Sequence, residues 1–204
     1  MVKLTSQTSI IDLYRRYKHA PINPVEHLFV YLRLRFSSYQ VIEKHVPSSG
    51  DIVDLGCGFG MLTVYLALLS QARQITGVDI SHRRLRAAEF ASAHIHNVAF
   101  EHSDLVQYTF DGCNGILLID TLHYFPVPVQ NMLLKKCYDR ISPGGRLLLR
   151  DSNKDKRFRH FVTRSHETIM TRSGFTKGEM LCFRSFVELR SYLEGLGFFV
   201  DALP

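Results

Sequence analysis

The stretch Val53-Asp54-Leu55-Gly56-Cys57-Gly58-Phe59-Gly60 decides how this chain is read. An apolar run leads into it, glycines alternate through it, and a second apolar run of helical length, Met61 to Ser70, leaves it. That is the order strand, glycine turn, helix. Gly56 and Gly58 lack a Cβ, so the backbone there turns sharply and comes close to a ligand, and Gly60 opens the helix. In a doubly wound sheet, ligands bind beyond the carboxyl ends of the strands, which makes this loop the first place to look for a site.

Outward from the loop, short apolar runs alternate with helical patterns, as a parallel sheet covered on both faces requires. The expected strands are Asp51 to Leu55, Gln74 to Asp79, Asn97 to His102, Gly115 to Asp120, Gly145 to Arg150 and Gly197 to Ala202. The expected helices between them are Met61 to Ser70, Ser81 to His94, Val127 to Ile141 and Ser185 to Leu196, with a further one near Phe161 to Ser173. Before the sheet, residues 8 to 18 suit an amphipathic helix. A second helix is capped by Asn23, starts at Pro24 and runs to Val46-Pro47. The fold expected is α/β: a Rossmann-like three-layer sandwich with a mostly parallel central sheet. Residues 1–48 form a helical cap or lid, and residues 49–204 form the sheet domain, with a helical insertion around 155–180 that shapes the substrate pocket.

Ligand chemistry follows from the carboxylates around the loop. Gly77-Val78-Asp79-Ile80-Ser81 ends the second strand about twenty residues after the glycines, where a carboxylate accepts hydrogen bonds from both ribose hydroxyls. Dinucleotide loops space their glycines G-x-G-x-x-G and leave the helix N-terminus to a pyrophosphate. Here the spacing is D-x-G-x-G-x-G, and Asp54 would repel a diphosphate. A cationic ligand with an amine is favoured instead.

From about Gly50 to Pro204 the chain resembles the class I S-adenosylmethionine-dependent methyltransferases, in several motifs that occur in the family's order. The glycine loop is the first. The resemblance implies that Asp54, Gly56, Cys57, Gly58 and Gly60 face the methionine moiety and that Asp79 and Ile80 hold the adenosine. His102-Ser103-Asp104-Leu105 looks like the adenine-edge motif, with Asp104 accepting from the exocyclic amine and Leu105 against the ring. Ile119-Asp120-Thr121-Leu122-His123-Tyr124 is similar to the segment beside the transferred methyl, with Asp120 on the cofactor side. Ile141-Ser142-Pro143-Gly144-Gly145-Arg146-Leu147-Leu148-Leu149 resembles the loop and strand that follow. The implied cofactor is S-adenosylmethionine, with S-adenosylhomocysteine as product, and no metal is implied.

Each of these residues also has a bland reading. Asp54 could bond only to backbone, Asp104 could be turn chemistry, and Cys57 between glycines is simply small. His123 could bond a carbonyl at a strand end or act as general base, its near-neutral pKa suiting proton removal, and Tyr124 could pack or line the pocket. Tyr14, Tyr17, Arg33, Arg35 and Tyr39 are candidates for the lid.

The acceptor is ranked by exclusion. Methyltransferases of exocyclic base amines usually carry an Asp or Asn followed by Pro-Pro and an aromatic, whereas Asp120-Thr121-Leu122-His123 looks more like enzymes of small molecules. A small or carrier-bound metabolite is therefore the first expectation. RNA is the alternative acceptor, and a non-catalytic cofactor-binding scaffold is the alternative of another class. Charge supports the RNA reading: between Lys135 and Arg190 fourteen Lys and Arg stand against six Asp and Glu, within a net +6. No RNA-binding module accompanies it.

Composition bounds the rest. Of 204 residues 46% are hydrophobic and 22% charged, within the globular range. Cys57, Cys113, Cys137 and Cys182 form no CxxC pair and are expected as reduced thiols in a cytoplasmic protein. No export signal or membrane span is expected. The family's antiparallel seventh strand has no counterpart before Pro204. An exposed or partner-covered sheet edge is expected there, and with it a homodimer through that edge.

Overall fold

The computed structural model describes residues 6–151 and 181–202. The chain opens with α1 (Ser6–Tyr17), α2 (Pro24–Phe36) and α3 (Tyr39–Glu43). Asn23 starts α2 as the sequence predicts: its side chain accepts from Glu26 N at 2.8 Å and the Glu26 carboxylate accepts from Asn23 N at 2.9 Å. The single helix expected from Pro24 to Val46 is instead two. Ser37 is extended (φ −75°, ψ 146°) and ends α2, and adjacent serines compete with the backbone for hydrogen bonds.

Then follow β1 (Gly50–Leu55), α4 (Met61–Leu69), β2 (Arg73–Asp79), α5 (His82–Ala91), β3 (Val98–His102), β4 (Cys113–Ile119), a single 3-10 turn Leu122–Tyr124, α6 (Val127–Arg140), β5 (Ile141–Arg150) and α7 (Phe186–Leu196). The sheet has five strands in the order β3-β2-β1-β4-β5. β1 pairs parallel with β2 and with β4, and β2 pairs parallel with β3. The order reverses direction at β1 and β4, so the loop after β1 lies at the topological switch.

Contacts divide the chain into two units, Met1–Leu118 with Ile141–Leu148, and Ile119–Arg140 with Leu149–Pro204. In the first unit α4 packs on β2 and β3, α5 on the same strands, and α1 lies against α4 and α5. Every residue of α4 from Met61 to Ala67 is buried, which explains its all-round apolar sequence. Its C-terminal end is held by polar clamps. Buried Asn97 Nδ2 donates to the carbonyls of Ala67, Ser70 and Arg73. Buried Arg73 donates to the carbonyls of Pro47 and Leu66 and pairs with Glu43 at 3.1 Å. Burying a guanidinium is tolerable only when its donors are satisfied in this way.

In the second unit α6 packs on α7. Buried Gln130 Nε2 donates to the carbonyls of Phe125 and Cys182, and Tyr192 Oη donates to Asn131 O at 3.0 Å. Ser185 and Glu188 form a capping box that fixes the start of α7.

Two further expectations are corrected. Gly197 to Ala202 is not a sixth strand: Gly197 (φ +107°) caps α7, and the N–H groups of Gly197 and Phe198 donate back to Glu194 and Leu193 carbonyls. Phe198 then meets Tyr138 edge-on at 5.1 Å, so its apolar character serves a helix cap contact and not a sheet. β5 begins at Ile141, four residues before the strand predicted from Gly145, and takes in Pro143, which a strand at a sheet edge accommodates. The helix expected near Phe161 to Ser173, and the insertion around 155–180, lie outside the described residues. Among the described residues no helix is long and apolar enough to cross a membrane.

Candidate functional site

In the first unit the loop between β1 and α4 is built by local hydrogen bonds and by glycine geometry. Gly56 and Cys57 N–H groups donate to the Val78 carbonyl at 2.8 and 3.0 Å, and Gly60 N–H donates to Cys57 O at 2.9 Å. Gly60 has φ +69°, and a Cβ there would stand 2.6 Å from Ala88 Cβ and 2.7 Å from the Phe100 ring. It needs both its backbone freedom and its lack of volume, whereas Gly58 (φ +59°, open space around it) needs only the former.

Asp79 closes the loop from β2. Its Oδ2 accepts from Gly58 N and its Oδ1 from Ser81 N, both at 2.9 Å, with Arg84 Nη1 at 3.9 Å. A carboxylate offers about four acceptor directions, so two remain for a ligand. Ser81 caps α5 through Arg84 N at 3.4 Å, which leaves Asp79 unneeded as the cap. Ile80 beside it is half exposed, an apolar surface next to a carboxylate.

Asp54 is buried at the end of β1 and accepts from Thr63 Oγ1 at 2.6 Å. Burial raises its pKa to about 6, the Thr63 hydrogen bond works against that, and the Asp79 charge adds to it. Burial first, and then the charges of Asp54 and Asp79, push the Cys57 thiol well above its ordinary range, so it is held as a thiol and not as a nucleophilic thiolate.

Asp104 accepts from Val106 N at 2.8 Å in an Asx turn, and Leu105 next to it is buried. Ser103 N–H donates to Asp79 O at 3.2 Å, which ties the ends of β2 and β3 together. Asp54, Gly56, Cys57, Gly58, Gly60, Asp79, Ile80, Asp104 and Leu105 thus all lie at the carboxyl ends of β1, β2 and β3 or in the loops that leave them. A cavity of about 290 Å³ lined by Gln74, Thr76, Asn97 and Tyr108 lies at the opposite ends of these strands.

Tyr17 and Thr63 were not assigned by sequence to the glycine loop. Tyr17 is buried in α1, and its hydroxyl donates to the Phe59 carbonyl at 2.5 Å. Burial pushes its pKa well up, so it stays a donor. Phe29 of α2 meets the Phe59 ring at 5.9 Å. The contact spans 42 positions, and no local pattern announces a tyrosine that reaches so far.

In the second unit Asp120 follows β4 in the left-handed region (φ +54°), its N–H donating to Arg150 O at 2.7 Å. Its carboxylate takes both arms of Arg150, at 2.6 and 3.2 Å. A bidentate pair of this kind fixes the turn that carries Thr121 to Tyr124. His123 is fully buried, stacked on Phe183 at 4.9 Å and tilted against Tyr124 at 4.4 Å. Its Nδ1 donates to the Asp151 carboxylate in a short hydrogen bond, and Cys182 N–H donates to its carbonyl at 2.8 Å. Neither Arg150 nor Asp151 was singled out by sequence, since their partners lie 28 to 30 positions away.

A family model described as a methyltransferase domain matches residues 52–145. A carboxy-S-adenosyl-L-methionine synthase of Shewanella amazonensis is 30% identical over 120 residues, covering 56% of this chain and 49% of that protein. An O-methyltransferase family 2 protein of Planctomyces limnophilus, solved with apigenin, superposes with TM-score 0.63 at 19% identity, covering 95% of this chain and 62% of that one. DhpI, solved as a complex with S-adenosylhomocysteine, superposes with TM-score 0.59 at 18% identity over 97% and 89% of the two chains. The chain spans between about half and two thirds of the length of the curated relatives it matches.

Proposed function

We propose that this chain, whose residues 52–145 match a methyltransferase-domain family model, is a class I S-adenosylmethionine-dependent methyltransferase that binds S-adenosylmethionine at the loop between β1 and α4 and carries out methyl transfer. The acceptor in this reading is an O, N or C nucleophile of a small or carrier-bound metabolite. Asp54 is the observation that carries the reading. A carboxylate is buried beneath the loop beside a hydroxyl and a second carboxylate, an arrangement that a cationic ligand relieves and a pyrophosphate aggravates.

Asp79 has two acceptor directions left for the ribose hydroxyls, Ile80 offers an apolar surface to the adenine, and the N-terminus of α4 suits the cofactor's carboxylate. S-adenosylmethionine, when bound, supplies a methyl group already activated by its sulfonium. What the protein contributes is alignment and exclusion of water, which supply on the order of 7–11 kcal/mol at best.

Tyr17→Phe tests the loop. Loss of one buried hydrogen bond to Phe59 O is expected to weaken S-adenosylhomocysteine binding by about fivefold to twentyfold, as roughly 1–1.8 kcal/mol would. Calorimetry on the folded variant checks this, and unchanged affinity would mean that the bond does not position the loop.

On the acceptor side, His123 is the proposed general base, with Tyr124 as a pocket residue. Donation from Nδ1 to Asp151 would keep Nε2 as the basic nitrogen. Asp151→Asn is expected to lower kcat about tenfold to a hundredfold with KM little changed, and to move the rising limb of the pH–rate profile. A purely structural His123 would leave that profile in place.

The names of the curated relatives favour a second reading, in which the cofactor itself becomes carboxylated, taking a carboxyl group from a second, carboxylate-bearing substrate and giving up a proton. A cation would then have to receive the new carboxylate. Incubation of the chain with S-adenosylmethionine and pooled cellular metabolites, followed by mass spectrometry, separates the two. S-adenosylhomocysteine plus a methylated acceptor supports methyl transfer, and a carboxylated cofactor supports the alternative.

A further inference from the structure

We infer that the outward faces of α1 and α2 form a docking surface for an anionic lipid bilayer. Both helices already have a core face: Leu13 and Tyr17 of α1 and Val30 and Leu34 of α2 are buried. A helix so anchored normally turns charged residues to solvent. α2 instead presents a second apolar stripe, Val25, Leu28, Leu32 and Phe36, exposed by 61, 57, 42 and 75%. The spacing of three and four places them on one line along the helix. Ile11 and Tyr14 continue the surface on α1, and the edge-on contact of Tyr14 with Tyr31 at 5.5 Å joins the two helices' outer faces. Large apolar side chains gathered in this way mark an interaction site, whereas single exposed ones do not.

Charge and shape select the occupant. Among the described residues, the exposed cations of the two helices that no acid pairs with are Lys18 and Arg35, Arg15 being taken up by Asp12. The acids of the two helices are engaged: Asp12 pairs with Arg15, and Glu26 is buried against Arg83. The rim is therefore cationic. A second copy docked about a two-fold axis would set the same cations against each other, which disfavours self-association. The apolar residues stand on the outer surfaces of two helices, the shape that enters the boundary of a bilayer and not the groove that receives a peptide. Tyrosines beside leucines and arginines are the usual composition of such an interfacial surface.

This inference is independent of the cofactor reading, and its test reads vesicle binding alone. The full chain is sedimented with vesicles of phosphatidylcholine or of phosphatidylcholine with phosphatidylglycerol, at low and high salt. The expected result is binding to the anionic vesicles, at least about tenfold weaker binding to the neutral ones, and loss at high salt. L28E/F36E is expected to lower binding at least about tenfold while circular dichroism shows the fold unchanged. R35E, which leaves the apolar stripe in place, is expected to lower it severalfold. Absence of binding to anionic vesicles overturns the inference, as does binding that L28E/F36E leaves intact. A dimer seen in sedimentation velocity and abolished by L28E/F36E also overturns it, by making the face a contact between copies.

Discussion

Asp79→Ala is expected to remove S-adenosylhomocysteine binding altogether at concentrations where the parent chain saturates, a loss of at least about 100-fold. Two effects add. The variant lacks the proposed acceptor for the ribose hydroxyls, and a hydrogen bond to a charged group is worth about 1.5–3 kcal/mol. It also lacks the carboxylate that holds Gly58 N–H and Ser81 N–H at 2.9 Å, so the loop after β1 loses its tie to the start of α5. Asp79→Asn keeps the volume and one acceptor and should fall between the two. Affinity of the alanine variant within about threefold of the parent would show that Asp79 only organises the loop.

Asp54→Asn is expected to act in opposite directions on stability and on binding. In the folded chain the Asp54 pKa is raised from 3.8 to about 6, so the native state holds its proton more tightly than the unfolded state does. The sign follows: ionising Asp54 destabilises the fold as pH rises from the unfolded value through about 6, and the penalty is fully present above that. Two pKa units correspond to about 3 kcal/mol, an upper figure for a buried group. Asparagine cannot ionise and still accepts from Thr63 Oγ1. At about pH 8 the variant should resist urea better than the parent by about 1–3 kcal/mol, and at about pH 4 the gap should shrink. It should bind the cofactor at least about tenfold more weakly, having lost the charge that meets a cation. Equal stability of the two proteins at both pH values would contradict a penalty at Asp54. Such a trade of stability for function is common where a site stores an unfavourable charge.

Much of the fold was legible because local pattern and global packing agree at the centre of the sheet. The apolar strands before Gly56 and Asp79, the all-round apolar α4 and the Asn23-Pro24 start of α2 each follow from composition over a few residues. The C-terminal end was misread because Gly197-Phe198-Phe199-Val200 has strand composition, yet Gly197 in the left-handed region and Phe198 against Tyr138 make it a helix cap. Ser37 and Ser38 broke a helix that periodicity alone would have continued.

At the candidate site, the residues in short motifs were legible as candidates and their long-range partners were not. Asp54, Gly58, Gly60 and Asp79 announce themselves by spacing. Tyr17, Arg150 and Asp151 act on Phe59, Asp120 and His123 across 28 to 42 positions, distances at which one sequence carries no pairing signal. Asp120 illustrates the difference. The motif placed it on the cofactor side, while its carboxylate is engaged bidentately by Arg150 and its backbone sits at φ +54°. Thr63 was hidden differently, since a threonine inside an apolar helix reads as a tolerated polar residue until Asp54 is seen to accept from it.

The central claim is that the loop after β1, with Asp54 below it and Asp79 closing it, holds an adenosyl ligand. Calorimetric titration of the full chain with S-adenosylhomocysteine near neutral pH tests it most directly. The expected result is one-site, stoichiometric binding with a dissociation constant of about 1–100 μM, lost in Asp79→Ala. An absence of binding at high protein concentration, or binding that Asp79→Ala leaves intact, would contradict it.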